Sequence, residues 1–427
     1  MSFQSLNLHP NLLKALTELG YSTPTDVQQQ AIPLALKGDD VMAGAQTGTG
    51  KTAAFALPLL QRLMTLPSQA EQVSTAVENN QKSRNKIRAL ILTPTRELAQ
   101  QVFDSITTYA KYTELKVAVA YGGTSMNVQV KALNAGAEIL VATPGRLLDH
   151  VFNGSVSLSE VETFVLDEAD RMLDMGFIVD IQRIMKRMPA ERQTLFFSAT
   201  FSKQVKKLAF DILTNPKMVE VTPANTAAET VEQMVYPVDK HRKAELLAYL
   251  IGSRNWRQVL VFTKTKQGSD QLAKDLGLDG IKASSINGDK SQGARQRALD
   301  DFKSGKTRVL VATDVAARGL DIEQLEYVVN FDMPFKAEDY VHRIGRTGRA
   351  GMTGHAITLM SLDEEWALKA IEELLDSRLP QQWLECYEPN PELIETQSVH
   401  RGAAAEKRRA KSKSRIHQNR GKHRNRR

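Results

Sequence analysis

Short, continuous apolar runs alternate with longer stretches of mixed polarity along most of the chain. In the first half the runs lie at 87–92, 116–121, 139–142, 164–166 and 194–197, with helix-like stretches such as 97–111 and 128–133 between them. A second series follows at 235–238, 259–262, 309–312, 327–331 and 356–360. Runs that stay apolar, rather than alternating, read as strands covered on both faces. Strands of that kind separated by helices predict parallel sheets in an α/β fold. Near the start, Leu12, Leu13, Leu16 and Leu19 share one helical face, and Gly20 is a plausible stop.

The breaks in this pattern divide the chain. Residues 1–214 read as one domain and 234–382 as a second. Residues 215–233, with Pro216, Pro223 and the small-residue run 224–228, have the composition of a linker. Regular patterning fades near Gln382, so 383–427 reads as an extension and a disordered tail. Residues 66–86 are polar without strong periodicity and read as an exposed loop.

In parallel sheets ligands gather at the carboxyl ends of the strands. The polar clusters fall there: 93–97, Gly122-Gly123, 143–146, 167–170 and 198–200. The strongest signal follows the run Val41, Met42, Ala43. It is Ala45-Gln46-Thr47-Gly48-Thr49-Gly50-Lys51-Thr52, and a helix-like stretch at 53–60 comes next. A strand, a glycine-bearing turn and a helix start make a phosphate cradle from backbone N–H groups and the positive helix end. Lys51 can reach the outer phosphates, and the Thr52 hydroxyl can face magnesium. The strict phosphate-loop pattern has Gly where this chain has Ala45. The plain alternative is a Gly/Thr-rich turn that holds nothing.

Phe164-Val165-Leu166 leads into Asp167-Glu168-Ala169-Asp170. Downstream of a phosphate loop, the first acid would hold magnesium through water. Its neighbour Glu168 would orient or deprotonate an attacking water. An acidic helix N-terminus is the alternative. The second domain carries His342-Arg343-Ile344-Gly345-Arg346-Thr347-Gly348-Arg349. Arg346 and Arg349 lie three apart and could meet one phosphate group, the role of an arginine finger. Surface arginines paired with carboxylates are the alternative. Asp321 could accept a hydrogen bond from ribose. Gln28 has the edge geometry to meet adenine, and Tyr21 could stack on the ring. A surface Gln beside a core Tyr would account for the same residues.

Composition then narrows the class. The 427 residues carry a net charge of +7. Residues 401–427 hold twelve Lys/Arg and one acid, while the other 400 hold 44 bases and 48 acids. The basicity therefore belongs to the tail, which suggests nucleic acid as partner or else a solvated solubility tail. No apolar run approaches the roughly 18 residues of a membrane span. Met1-Ser2-Phe3-Gln4 lacks the basic flank and apolar core of a secretory signal. Cys386 is the only cysteine, so no intramolecular disulfide or cysteine-cluster metal site can form. A reducing, cytoplasmic setting without a membrane is expected.

With these motifs in order over about residues 3–380, the chain resembles the DEAD-box ATP-dependent RNA helicases of superfamily 2, and among them the bacterial RhlE type. The resemblance implies two tandem RecA-like domains, ATP with Mg²⁺ as cofactor, and RNA as partner with little sequence preference. It assigns adenine recognition to Phe3, Tyr21, Thr23, Pro24 and Gln28, and the phosphate loop to the eight residues from Ala45 to Thr52. The metal would be held through Thr52 and Asp167. Catalysis falls to Lys51, Asp167, Glu168, Arg346 and Arg349. Asp170, Ser198, Ala199, Thr200 and His342 would couple hydrolysis to strand separation, and Gly319 and Asp321 would serve the nucleotide.

RNA contacts are implied for Pro94, Thr95, Arg96, Gly122, Gly123, Thr143, Pro144 and Arg146 in the first domain. In the second they are implied for Phe262, Thr263, Gln292, Arg295, Thr313 and Asp314. Asn287 stands where relatives often have His. Closure of the two domains would complete the ATPase site and open a short duplex. Ribosome precursors or RNA-decay proteins are the further partners implied. A DNA-directed helicase, an ATP-gated RNA clamp and a phosphate-loop kinase are the competing readings. The kinase leaves the second domain unexplained.

Overall fold

The computed structural model describes residues 2–45, 49–65, 87–220, 231–317, 322, 325–348 and 354–390. Outside them lie the expected loop at 66–86, Gln46, Thr47 and Gly48 of the phosphate loop, and Gly319, Asp321 and Arg349. The whole of the expected basic tail at 401–427 also lies outside. The chain divides into two compact units, with the main break between Ala227 and Ala228.

The first unit begins with α1 (Pro10–Glu18), α2 (Asp26–Leu36), β1 (Val41–Gly44) and α3 (Lys51–Thr65). It continues through β2 (Ala89–Leu92), α4 (Arg96–Tyr109), β3 (Val117–Ala120), α5 (Met126–Asn134) and β4 (Ile139–Ala142). Then come α6 (Pro144–Phe152), β5 (Thr163–Leu166), α7 (Ala169–Asp174), α8 (Ile178–Met185), β6 (Gln193–Ser198), α9 (Lys203–Ile212) and β7 (Lys217–Glu220). The strands pair in the order β3-β4-β2-β5-β6-β1-β7, every pair parallel.

Strand periodicity splits the apolar residues between two cores. Val41, Ala43, Ile91, Val165 and Phe197 face the layer containing Leu12, Leu16, Phe55 and Ile106. Met42, Leu90, Leu92, Phe164 and Phe196 face the layer containing Leu147, Ile181 and Leu208. Helices therefore cover both faces, which is why the strands read as unbroken apolar runs. On α1, Leu12 and Leu16 are buried, whereas Leu19 sits past the helix end and is 39% exposed. β7 occupies 217–220, inside the stretch whose composition reads as a linker. It is an edge strand in which only Val219 is buried.

The second unit contains β8 (Val231–Pro237), α10 (Lys243–Ser253), β9 (Val259–Thr263), α11 (Lys266–Leu278), β10 (Ala283–Ile286) and α12 (Gln292–Lys303). In chain order there follow β11 (Val309–Thr313), α13 (Asp314–Ala317), β12 (Tyr327–Asn330), α14 (Ala337–Ile344), β13 (Gly354–Met360) and α15 (Glu365–Leu375). Its sheet has the order β10-β11-β9-β12-β13-β8, again parallel throughout. The segment after α15 belongs to this unit. Gln381 bridges to Val235, Tyr236 Oη donates to Gln382 Oε1 at 3.0 Å, and the Arg242 guanidinium lies 4.5 Å over the Tyr387 ring.

Beneath this sheet's carboxyl end, Lys243 is buried and donates to Glu364 Oε2 at 2.5 Å and to the Phe331 carbonyl at 3.0 Å. Lys264 Nζ meets the other Glu364 oxygen at 2.8 Å. Burial raises the Glu364 carboxyl, but Lys243 and Lys264 outweigh it and hold it near 2, below its ordinary 4.5. Burial lowers the Lys243 ammonium, and Glu364 restores it only in part. A depressed carboxyl stabilises the fold above its unfolded value. The Glu364 contribution is therefore complete above pH 4.5 and lost as pH falls towards 2. Glu364→Ala leaves a buried ammonium without its counter-charge and is expected to cost about 3 kcal/mol. A lower urea midpoint for the second unit's transition at neutral pH checks this.

Candidate functional site

Lys51 opens α3 at the carboxyl end of β1. It is 6% exposed, and among the described residues its Nζ has no hydrogen-bond partner. Asp167 follows β5, also buried, and its Oδ1 likewise lacks a partner among the described residues. Burial pushes the Asp167 carboxyl up to about 6, while the Lys51 ammonium pulls it down and Glu168 pushes it up. A buried ammonium and a buried carboxylate oxygen, both unmatched, are costly unless a polar ligand completes them. Phosphate oxygens suit the first, and a hydrated cation suits the second.

Glu168 caps α7 with φ 54°, a left-handed backbone that a non-glycine residue adopts under constraint. Its Oε2 accepts from Arg171 Nη1 at 2.6 Å, one turn along α7. The same turn carries Asp170, whose Oδ2 accepts from Thr200 Oγ1 at 3.3 Å. Ser198 Oγ donates to the Thr200 carbonyl at 2.8 Å, and Ala199 sits between them, half-buried. The acidic loop and the loop after β6 are thus joined by a direct hydrogen bond.

Gln28 lies on α2 and ties that helix to the phosphate loop. Its Oε1 accepts from Thr25 N, and its Nε2 donates to the Gly50 carbonyl, both at 3.0 Å. Gly50 has φ +86°, and a Cβ there would collide with Gln28 Nε2, so only glycine permits this approach. Both Gln28 amide groups therefore have protein partners, an arrangement that sequence reasoning about adenine did not foresee. Tyr21 is 43% exposed and Thr23 is exposed, while Phe3 is buried and stacks behind Tyr21 at 6.4 Å. Phe3 thus backs the tyrosine rather than facing solvent. Ala45 is buried, and Thr49, Gly50 and Thr52 are half-buried around the loop.

A second group forms at the carboxyl ends of β2, β3 and β4. Thr95 caps α4 by accepting from Leu98 N at 3.3 Å, and Pro94 beside it is buried. Arg96 lies across Gly122 and Gly123, where a Cβ on Gly123 (φ +83°) would run into its guanidinium. Thr143 caps α6 and Pro144 begins it. Arg146, one turn in, uses Nη1 to donate to the Thr124 carbonyl at 3.1 Å and to Gln129 Oε1 at 3.2 Å. Gln129 and His150 are buried and linked, His150 Nε2 to Gln129 Oε1, at 2.9 Å.

In the second unit Arg343 is the hub. It is buried on α14 and donates to both Asp314 oxygens at 2.6 and 2.8 Å, to Asn330 Oδ1 at 3.1 Å and to the Asp332 carbonyl at 2.7 Å. Its guanidinium sits 5.1 Å from the centre of the Phe262 ring. Asp314 and Phe262 are therefore held inside this scaffold, and Thr263 and Thr313 are buried at the ends of β9 and β11. Gln292 and Arg295 share the first turn of α12 and are half-buried, as is His342 on α14. Arg346 is buried just past the end of α14. Asn287 is wholly buried and fully matched. Its Nδ2 donates to Ser269 Oγ and Asp270 Oδ1 at 3.0 Å, and its Oδ1 accepts from Asp289 N at 3.1 Å.

Residues 25–208 match the sequence model of the DEAD/DEAH box helicases, and residues 242–351 match that of the helicase conserved C-terminal domain. The chain is 44% identical over 395 residues to the ATP-dependent RNA helicase RhlB of Pseudomonas aeruginosa (strain UCBPP-PA14), covering 92% of this chain and 96% of that one. The chain belongs to the DEAD-box ATP-dependent RNA helicases. The helicase is also 43% identical over 373 residues to CshA of Bacillus subtilis (strain 168), covering 87% of this chain and 72% of the relative. Its fold resembles S. cerevisiae Dbp5 bound to RNA and ADP BeF3, with TM-score 0.77, 30% identity and coverage of 93% and 98%. It also resembles Mss116 bound to ssRNA and AMP-PNP, with TM-score 0.78, 28% identity and coverage of 92% and 80%. The two sheets are the tandem RecA-like domains of this family.

Sequence reasoning passed over several residues that organise the helicase's sites: Arg171, Gln129, His150 and Asn330. Arg171 carried a signal, because an Arg three residues after Glu168 on a helix start falls on the same face. The others carried none, since each reaches its partner across long sequence separations.

Proposed function

We propose that this DEAD-box helicase binds single-stranded RNA and short duplexes with little sequence preference, hydrolyses ATP, and uses that hydrolysis to unwind duplexes locally or remodel RNA–protein complexes. The observation that carries the ATPase reading is the pair of unmatched buried groups, Lys51 Nζ and Asp167 Oδ1, beside Glu168. Lys51 binds the outer phosphates of ATP. Glu168 takes the proton of the attacking water. Mg²⁺ fits the same place through Asp167 and Thr52. No cluster of three or more metal-ligating side chains occurs among the described residues. The Mg²⁺ ion would be held by one carboxylate, a hydroxyl and the substrate's own phosphates. When bound, the ion would neutralise charge developing on those phosphates.

Arg96 and Arg146, with the Gly122-Gly123 turn, contact RNA phosphates and 2′-hydroxyls, and Gln292 and Arg295 do so from the second domain. Arg346, Arg349 and Asp321 complete the nucleotide's surroundings. No helix among the described residues is long and apolar enough to cross a membrane. The RhlE type, work in the cytoplasm, and ribosome precursors or RNA-decay proteins as partners belong to the same reading. The test is ATPase activity with and without RNA, with single-stranded DNA as control, alongside unwinding of a short RNA duplex. Stimulation by RNA but not DNA, and ATP-dependent unwinding, are the expected results. Equal stimulation by DNA would overturn the choice of RNA.

Gln28→Ala is expected to lower the preference for ATP over GTP about tenfold, the scale of a bidentate base contact. The mutation also frees the Gly50 carbonyl, so KM for both nucleotides should rise. Competition of ATP against GTP separates the two effects. An equal rise for both nucleotides would mean that Gln28 acts only by holding the loop.

A further inference from the structure

The guanidinium of Arg146 is not aimed by its own helix alone. Its Nη1 hydrogens go to the Thr124 carbonyl and to Gln129 Oε1. Among the described residues its Nη2 has no hydrogen-bond partner, and its Nε lies 3.5 Å from Asp149 Oδ2. Gln129 comes from α5 and is buried. Its Nε2 donates to the Tyr121 carbonyl at 2.8 Å and to Thr124 Oγ1 at 2.6 Å. A carbonyl only accepts, so the Tyr121 contact fixes which end of the amide is nitrogen. Gln129 Oε1 then accepts twice, from Arg146 Nη1 and from His150 Nε2.

His150 must therefore carry its proton on Nε2. Burial and the neighbouring Arg146 lower its imidazolium, against a smaller opposing effect of Asp149, which favours the neutral ring. Nδ1 faces Ser155 Oγ at 2.9 Å. One buried amide thus joins the turn 121–124 after β3, helix α6 and the arginine. Without it, Arg146 would keep the Thr124 carbonyl and Asp149 but lose the partner that α5 supplies.

We infer that Gln129 and His150 are positioning residues that hold Arg146 in the orientation in which its remaining N–H groups meet an RNA phosphate. Gln129 supplies the acceptor. His150 supplies a second donor to that acceptor and keeps the amide from rotating. Neither residue touches RNA. The inference rests on the reading of Arg146 as an RNA contact.

The experiment measures the apparent RNA KM and the kcat of the RNA-stimulated ATPase in the full chain, with thermal melting, for Arg146→Ala, Gln129→Leu, His150→Phe and His150→Gln. His150→Phe keeps the ring's shape and loses the donor. His150→Gln places an amide N–H near the position of Nε2. Gln129→Leu and His150→Phe are expected to raise the RNA KM roughly fivefold, the factor one net hydrogen bond carries, with kcat at saturating RNA unchanged. His150→Gln should restore it. Gln129→Leu in the Arg146→Ala background should add nothing further, because its effect passes through the arginine. If Arg146→Ala raises KM and neither Gln129→Leu nor His150→Phe does, the positioning role is overturned while the arginine's RNA contact stands. If Arg146→Ala leaves KM unchanged, both readings fall. If His150→Phe and His150→Gln lower kcat and melting temperature alike, the pair merely supports the fold and the inference is overturned.

Discussion

Glu168→Gln lowers RNA-stimulated ATP turnover by about 10²–10⁴-fold, the usual cost of losing a general base, while ATP and RNA remain bound. The amide keeps the size and planarity of the carboxylate. It also keeps an oxygen for the 2.6 Å bond from Arg171. The left-handed backbone at this residue is set by the turn from β5 into α7 and does not depend on the charge. What disappears is basicity. The unmatched groups, Lys51 Nζ and Asp167 Oδ1, are untouched, so nucleotide affinity should survive. The substitution does remove the counter-charge of the buried Arg171, so melting must be followed beside turnover. Single-turnover hydrolysis with saturating RNA is the decisive measurement. A rate within about twofold of the unaltered protein would place the base elsewhere.

The parts of the molecule that could be read in the sequence are those where local chemistry and tertiary position agree. Both central sheets announced themselves because strands covered by helices on both faces must be apolar throughout, as in Leu90, Ile91 and Leu92. The motif loops could be placed because parallel strands all point their carboxyl ends the same way. Two of the edge strands gave no such signal. β7 exposes Lys217, Met218 and Glu220, and β10 reads Ala-Ser-Ser-Ile with only Ile286 buried. An edge needs fewer apolar residues, so its composition resembles a loop.

Side chains within motifs were harder still. Phe3, Phe262 and Thr263 stand in stretches associated with ligands yet are buried. Burial depends on what the rest of the chain brings over them. Asn287 stands out in the sequence only as a residue where relatives often have His. Its burial and its bonds to Ser269, Asp270 and Asp289 show that it pins the turn after β10 instead. Gln129 and His150 belong to the same class, since the bond joining them spans 21 positions.

Arg346→Ala lowers kcat at saturating RNA and ATP by about 10³-fold. The run from His342 to Arg349 offers three arginines for one role, and the structure accounts for one of them. Arg343 is occupied. Three of its nitrogens bind Asp314, Asn330 and the Asp332 carbonyl, and its plane covers Phe262. An arginine held this way cannot turn to a phosphate without breaking a buried ion pair. Arg343→Ala should therefore act on stability first, by about 3–5 kcal/mol, because it leaves the partly buried Asp314 carboxylate without its partner. Arg346 follows Gly345, beyond the last turn of α14. Steady-state ATPase and urea unfolding of the two variants test this division of roles. Normal turnover in Arg346→Ala would move the charge-stabilising role to Arg349. A loss of turnover with undiminished stability in Arg343→Ala would mean that its bonds to Asp314 open during the cycle, and that Arg343 itself reaches the nucleotide.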